Sequence, residues 1–192
     1  MILSNKNTPN LLSVDVTDRS VACSRRWLVA KVRIFHEKKT AERLVKMGIE
    51  CFLPVQQESH QWSDRQKTID RVLIPMTIFV HVDPSEQKEV LTLASVSRYM
   101  VLRGESTPAV IPDSQMDRFK FMLDYSEEAV SMSSTPLAAG ETIQVIKGPL
   151  TGLQGELITV NGKAKVAVRL KMLGCAYVDM PVGFVEQQEN KK

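Results

Sequence analysis

Residues 140–187 read GETIQVIKGPLTGLQGELITVNGKAKVAVRLKMLGCAYVDMPVGFVEQ. In the middle, Val166, Val168 and Leu170 alternate with Lys165, Ala167, Arg169 and Lys171. That period of two predicts a half-buried strand. Asn161-Gly162 precedes it, the dipeptide that best tolerates positive φ in a tight hairpin. Residues 153–160 are a second β-rich run, and Lys147-Gly148-Pro149-Leu150-Thr151-Gly152 reads as a loop between two strands. Residues 175–180 and 182–186 continue the series. Four or five short strands in so little chain predict a small closed β-barrel, because closure removes unpaired edges. A plain β-meander is the alternative.

The whole chain has 192 residues, 43% hydrophobic and 24% charged, enough for one or two small domains. No apolar run approaches the roughly 18 residues of a membrane helix, and the first twenty residues lack the basic head and apolar block of a secretory signal. A cytoplasmic protein without membrane contact is expected. Cys23, Cys51 and Cys175 are far apart and in no CxxC arrangement, which points to reduced thiols. The net charge is only +3, so any nucleic-acid role must come from a local patch.

Residues 1–24 are rich in Asn, Ser and Thr and read as a flexible extension. Residues 27–32 predict a strand and 36–47 a helix, with Ala41, Leu44 and Val45 inward and Gly48 as a left-handed cap. A strand over 49–55 follows. Residues 56–68 read as a hairpin tip or long loop carrying Trp62. Residues 70–82 are apolar almost throughout; Pro75 within them implies an edge, a bulge or a break. Asp83-Pro84-Ser85-Glu86 is a capping box that opens a helix with Val90, Leu91 and Ala94 inward. Another strand is expected over 97–103 and a loop over 104–112. A helix over 113–125 carries Met116, Phe119, Met122 and Leu123 on its inner stripe. Residues 126–139 are small and polar and read as a flexible linker, and 188–192 as a tail. The order β-α-β-β-α-β is the ferredoxin-like split arrangement, with helices on one face of the sheet. The predicted class is α+β: a ferredoxin-like domain over 25–125, then a small SH3-like β-barrel over 140–187.

Residues 140–187 resemble the KOW module of the NusG transcription-factor family, through Gly140, Val145-Ile146-Lys147-Gly148-Pro149, Gly155 and the strand 165–170. The first module resembles the family's N-terminal (NGN) domain. Arg26-Trp27-Leu28-Val29, Phe52-Leu53-Pro54, Ile74-Pro75, Ile78-Phe79-Val80 and Pro108-Ala109-Val110-Ile111 carry that likeness. Within the family the chain looks more like the specialised paralogues RfaH and the UpxY-type regulators of capsule operons. The aromatic-proline-glycine-tyrosine turn of the housekeeping factor is replaced by Ile74-Pro75-Met76-Thr77. The resemblance implies a transcription elongation and antitermination factor that acts as a monomer and is not an enzyme. A general housekeeping NusG-type factor, or a KOW protein that binds RNA or the ribosome, is the alternative.

The same resemblance implies an apolar patch that grips the β′ clamp helices of RNA polymerase, here Ile74, Pro75, Thr77, Phe79, Tyr99 and Val101. The plainer reading is that these side chains pack beneath the helices. From Lys31 to Met47 six basic residues face two acids, Glu37 and Glu42. Lys39, Arg43 and Lys46 share one helix face, and Arg33 precedes it. Such a stripe binds phosphates; in RfaH-like relatives the corresponding face reads the non-template DNA strand. Phe35 and His36 adjoin it, and single strands are usually also bound by aromatic stacking. In the second module Lys163, Lys165, Arg169 and Lys171 form a candidate partner-binding stripe, for a ribosomal protein or the terminator Rho, or else a wet outer face. His36, His60 and His81 sit in no metal-ligand spacing, so neither a metal nor a cofactor is expected.

Overall fold

The computed structural model describes residues 24–61, 66–134, 137–138 and 140–187. The expected extension before Ser24, Trp62 and the expected tail lie outside them. The chain runs β1 (Arg26–Val32), α1 (Glu37–Lys46), β2 (Glu50–Phe52), β3 (Val55–Gln61), β4 (Gln66–Val72), β5 (Thr77–Val82), α2 (Pro84–Thr92), β6 (Val96–Tyr99), β7 (Val110–Ile111) and α3 (Asp113–Tyr125). It continues through β8 (Ser131–Ser133), β9 (Glu141–Val145), β10 (Gln154–Val160), β11 (Lys163–Leu170), β12 (Gly174–Asp179) and β13 (Val185–Gln187).

The first sheet is antiparallel, ordered β2-β5-β1-β6, with β7 also paired to β1. Strand β1 is apolar at both parities, so both of its faces need cover. Leu28, Ala30 and Val32 pack with Ala41 and Leu44 of α1 and Val90 of α2. Trp27 and Val29 pack the other way, with Phe52, Phe79 and the α3 residues Met116, Phe119 and Met122. The fold is mixed α/β: α1 and α2 lie on one face of the sheet, as the β-α-β-β-α-β order predicts, and α3, which follows that unit, covers the other.

Residues 70–82 are not one strand. Pro75 breaks them, and Met76 turns at φ 58° between β4 and β5. Of residues 56–68, the described 56–61 and 66–68 belong to a hairpin, β3 paired with β4. The capping box is present: Asp83 accepts from the Ser85 and Glu86 N–H groups, and Glu86 accepts from the Asp83 N–H. Leu91 and Ala94 are exposed, against expectation, because this short helix rests on the sheet mainly through Val90. Strand β6 ends at Tyr99, and Val101 keeps only an isolated bridge to Pro108.

The second sheet has six antiparallel strands, ordered β13-β9-β10-β11-β12-β8. Asn161 (φ 53°) and Gly162 (φ 75°) make the β10–β11 hairpin turn, as their residue types predict. The alternation in β11 is real: Val166, Val168 and Leu170 join the large core shared with α3, while Ala167 enters a small cluster with Ile158 and Cys175. Residues 182–184 form a 3-10 turn before β13. The expected linker is partly structured. Val130 is buried, and Ser131–Ser133 forms edge strand β8 against β12. Helix α3 lies between the two modules, and one apolar cluster runs through it from Phe79 to Val168.

Candidate functional site

Three rings mark the centre of the covered face. Phe52 and Phe79 are cross-strand neighbours on β2 and β5, with centroids 6.1 Å apart. Phe119 of α3 meets Phe52 at 5.9 Å and Phe79 at 5.8 Å. Next to them His81 stacks on Trp27 at 4.8 Å, and its Nδ1 lies 2.7 Å from Glu50 Oε2. Lys120 of α3 places its Nζ 4.1 Å above the Trp27 ring and 3.8 Å from Glu50 Oε1. Apolar packing and a cation–π contact together hold α3 on this face.

The six residues of the expected polymerase patch do not form one open surface. Phe79 and Thr77 are fully buried, on the face that α3 shares. Tyr99 is buried in the opposite core, where its hydroxyl donates to Gln87 O (3.1 Å) and burial pushes its pKa up. Ile74 is half-buried against the α3 cluster, whereas Pro75 and Val101 are exposed. Phe79 and Tyr99 therefore follow the plainer reading, packed beneath helices, while the position next to them in the expected patch, Pro75, is exposed. On the same face as Phe79, Lys31 Nζ donates to Thr77 Oγ1 (3.0 Å), and Thr77 Oγ1 donates to Pro75 O (3.1 Å). Burial, then the neighbouring Arg98 charge, lowers the Lys31 pKa.

The basic segment is organised by an acid that its sequence does not single out. Glu37, 6% exposed, turns inward from the first turn of α1. Its Oε1 accepts the Met76 N–H at 2.8 Å, and the Met76 carbonyl accepts the Val32 N–H at 3.0 Å. One of the segment's two acids is thereby removed from the surface. Arg33, Lys39, Arg43 and Lys46 are all exposed, as expected. Glu42 is exposed too and lies three residues from Lys39 and four from Lys46, so the stripe contains one acid. Lys38 bridges to Asp70 on β4 at 2.9 Å.

The second module's basic stripe divides. Lys163 and Lys171 are exposed, but Lys165 pairs with Asp179 and lies 5.0 Å from the Tyr177 ring centroid. Arg169 Nε donates to both Glu156 oxygens (2.7 and 2.9 Å), and its other nitrogens donate to the Leu137 and Ala138 carbonyls. Burial of Glu156 opposes its charge, but the bonds from Arg169 and Gly140 outweigh it and lower its pKa. Cross-strand acids and the chain entering the sheet thus occupy two of the stripe's four cations.

Among the described residues no group of three His, Cys, Asp or Glu side chains could hold a metal, and no helix is long and apolar enough to cross a membrane. Burial, then the Glu50 charge, pushes the Cys51 thiol up to about 12.

A family model described as transcription termination factor nusG matches residues 25–120. A search of curated proteins returned no match. Among solved structures, one titled for domain interaction in Thermotoga maritima NusG is 17% identical, covering 86% of this chain and 98% of that chain, with a TM-score of 0.47. An MjSpt4:Spt5 complex in conformation A is 13% identical, covering 85% and 98%, with a TM-score of 0.27. The assignment rests on the family model, whose residues 25–120 span the whole first sheet, its turn at Pro75 and the basic face of α1. The chain belongs to the NusG family of transcription factors.

Proposed function

We propose that the protein is an elongation and antitermination factor that binds the β′ clamp helices of RNA polymerase through the first module. The observation that carries this reading is that the family match covers one segment bearing both candidate surfaces. These are the apolar positions flanking β1, with Ile74 and Pro75 beyond its Val32 end and Val101 toward its Leu28 end, and the basic face of α1 with Arg33. Docking favours the closed clamp and disfavours the paused state only to the extent that it binds the closed form better. Phe79 takes part only when α3 has lifted, since it is fully buried beneath it. The exposed cations of α1 contact the non-template strand. The Ile74-Pro75-Met76-Thr77 turn favours a specialised RfaH- or UpxY-type paralogue acting at long operons. The six-stranded second module is an SH3-like KOW barrel, a tethered adaptor for a ribosomal protein or Rho, with Lys163 and Lys171 as its free cations.

The test is capture of core RNA polymerase by the full chain. Pro75→Glu combined with Val101→Glu alters exposed positions and leaves the core intact. Capture should fall by an order of magnitude or more, and undiminished capture sinks the docking site.

A further inference from the structure

Phe35 is 90% exposed and sits at φ 62°. A bulky side chain in the left-handed region is strained, and glycine would adopt that backbone freely. The turn is nonetheless held. The His36 N–H donates to Arg33 O (3.1 Å), His36 Nδ1 lies 3.0 Å from Ile34 O, and the Thr40 N–H donates to His36 O (2.8 Å). From the other side the Met76 turn is tied to Val32 and to the buried Glu37 carboxylate. Two adjacent turns, each with a strained non-glycine residue, brace one another, and the Phe35 ring stands in water. Burial in the fold does not account for it. Strain that the surrounding structure maintains is a pointer to function.

The charges around the ring select its ligand. Arg33 and Lys39 are exposed on either side of it in sequence, while the nearest acid, Glu37, is turned inward. An exposed aromatic with exposed cations within a few residues of it combines the two groups that hold a single nucleic-acid strand, a ring for a base and cations for phosphates. We propose that Phe35 is a stacking site for one unpaired nucleobase of a strand whose phosphates lie on Arg33 and Lys39. This rests on the reading of α1 as a nucleic-acid face and adds the residue that grips a base. The site stands clear of the face covered by α3, so it is open in the structure as it is.

The experiment measures binding of a short, end-labelled single-stranded oligonucleotide to the full chain by fluorescence anisotropy across a salt series. Phe35→Ala and Phe35→Leu should each weaken binding by about 5- to 100-fold, the range of one base–aromatic stack, while Phe35→Trp retains it. The slope of log affinity against log salt should not change in these variants, whereas Arg33→Gln with Lys39→Gln should flatten it by about 0.7 for each phosphate no longer neutralised. With an abasic oligonucleotide, wild type and Phe35→Ala should bind alike. If Phe35→Leu binds as wild type does, stacking is refuted and the ring fits a protein partner's apolar pocket instead. If only the Arg33 and Lys39 changes weaken binding, this proposal falls and the nucleic-acid face stands. If wild type does not bind the oligonucleotide at low salt, both fall, and the polymerase docking site is untouched.

Discussion

Phe79 of β5 and Phe119 of α3 meet with ring centroids 5.8 Å apart and planes at 58°. Both are fully buried, and the contact fastens the sheet to the helix that also carries the second module. Phe119→Ala should therefore cost about 3–5 kcal/mol, as buried Phe truncations do, read as a lower urea midpoint. Phe79→Ala should cost a similar amount. A partner-binding defect in Phe79→Ala thus counts as evidence of docking only beside a measured stability.

Gly174 closes the turn into β12 at φ 104°, where a Cβ would lie 2.0 Å from the Ser133 carbonyl oxygen. Gly174→Ala should displace β8 from β12 and destabilise the chain by at least about 1–3 kcal/mol. Hydrogen exchange should quicken first at residues 131–133 and their partners on β12; unchanged protection there contradicts the prediction.

Asp83 caps α2 with bonds from Ser85 N–H (2.7 Å) and Glu86 N–H (2.9 Å). The Glu86 N–H is the largest cause holding its carboxyl below the usual range, with the Ser85 hydroxyl second. A depressed folded pKa stabilises above the unfolded value, about 3.9, and that contribution disappears as pH falls through the folded value. Asp83→Ala should lower the thermal midpoint by a few degrees at neutral pH, with the difference shrinking in acid. A difference that is constant across pH argues against the cap.

Cys51 is buried, and burial, then the Glu50 charge, pushes its thiol up to about 12, against about 8.5 in the unfolded chain. The folded state therefore retains a proton that the unfolded state loses, and stability should decline from about pH 8.5 upward. Cys51→Ala should decline less steeply over that range, and native Cys51 should resist alkylation at neutral pH. Rapid native labelling of this thiol would refute its burial.

Much of the local structure was readable. Helix α3 occupies the expected residues 113–125 because its apolar stripe is internally periodic. The Asp83 box and the Asn161-Gly162 turn are short-range chemistry between neighbours, and both formed. The candidate surfaces were less readable. Leu91 is apolar yet exposed, Glu37 is charged yet buried, and Lys165 and Arg169 look like a free stripe but pair with acids across the sheet. Each outcome depends on a partner distant in sequence.

Residue types and their spacing therefore determined the three helices, the Asn161-Gly162 turn and the family likeness of the first sheet, where the family model matches residues 25–120. They determined that β1 and α3 would each bury apolar surface, but not against what. Only tertiary packing decided that α3 would cross to the Phe79 face and close it, that residues 131–133 would pair with β12, and that Phe35 would be held out in strain. The physical reason is that periodicity records which side of an element avoids water, whereas the choice among apolar partners is made between surfaces far apart along the chain.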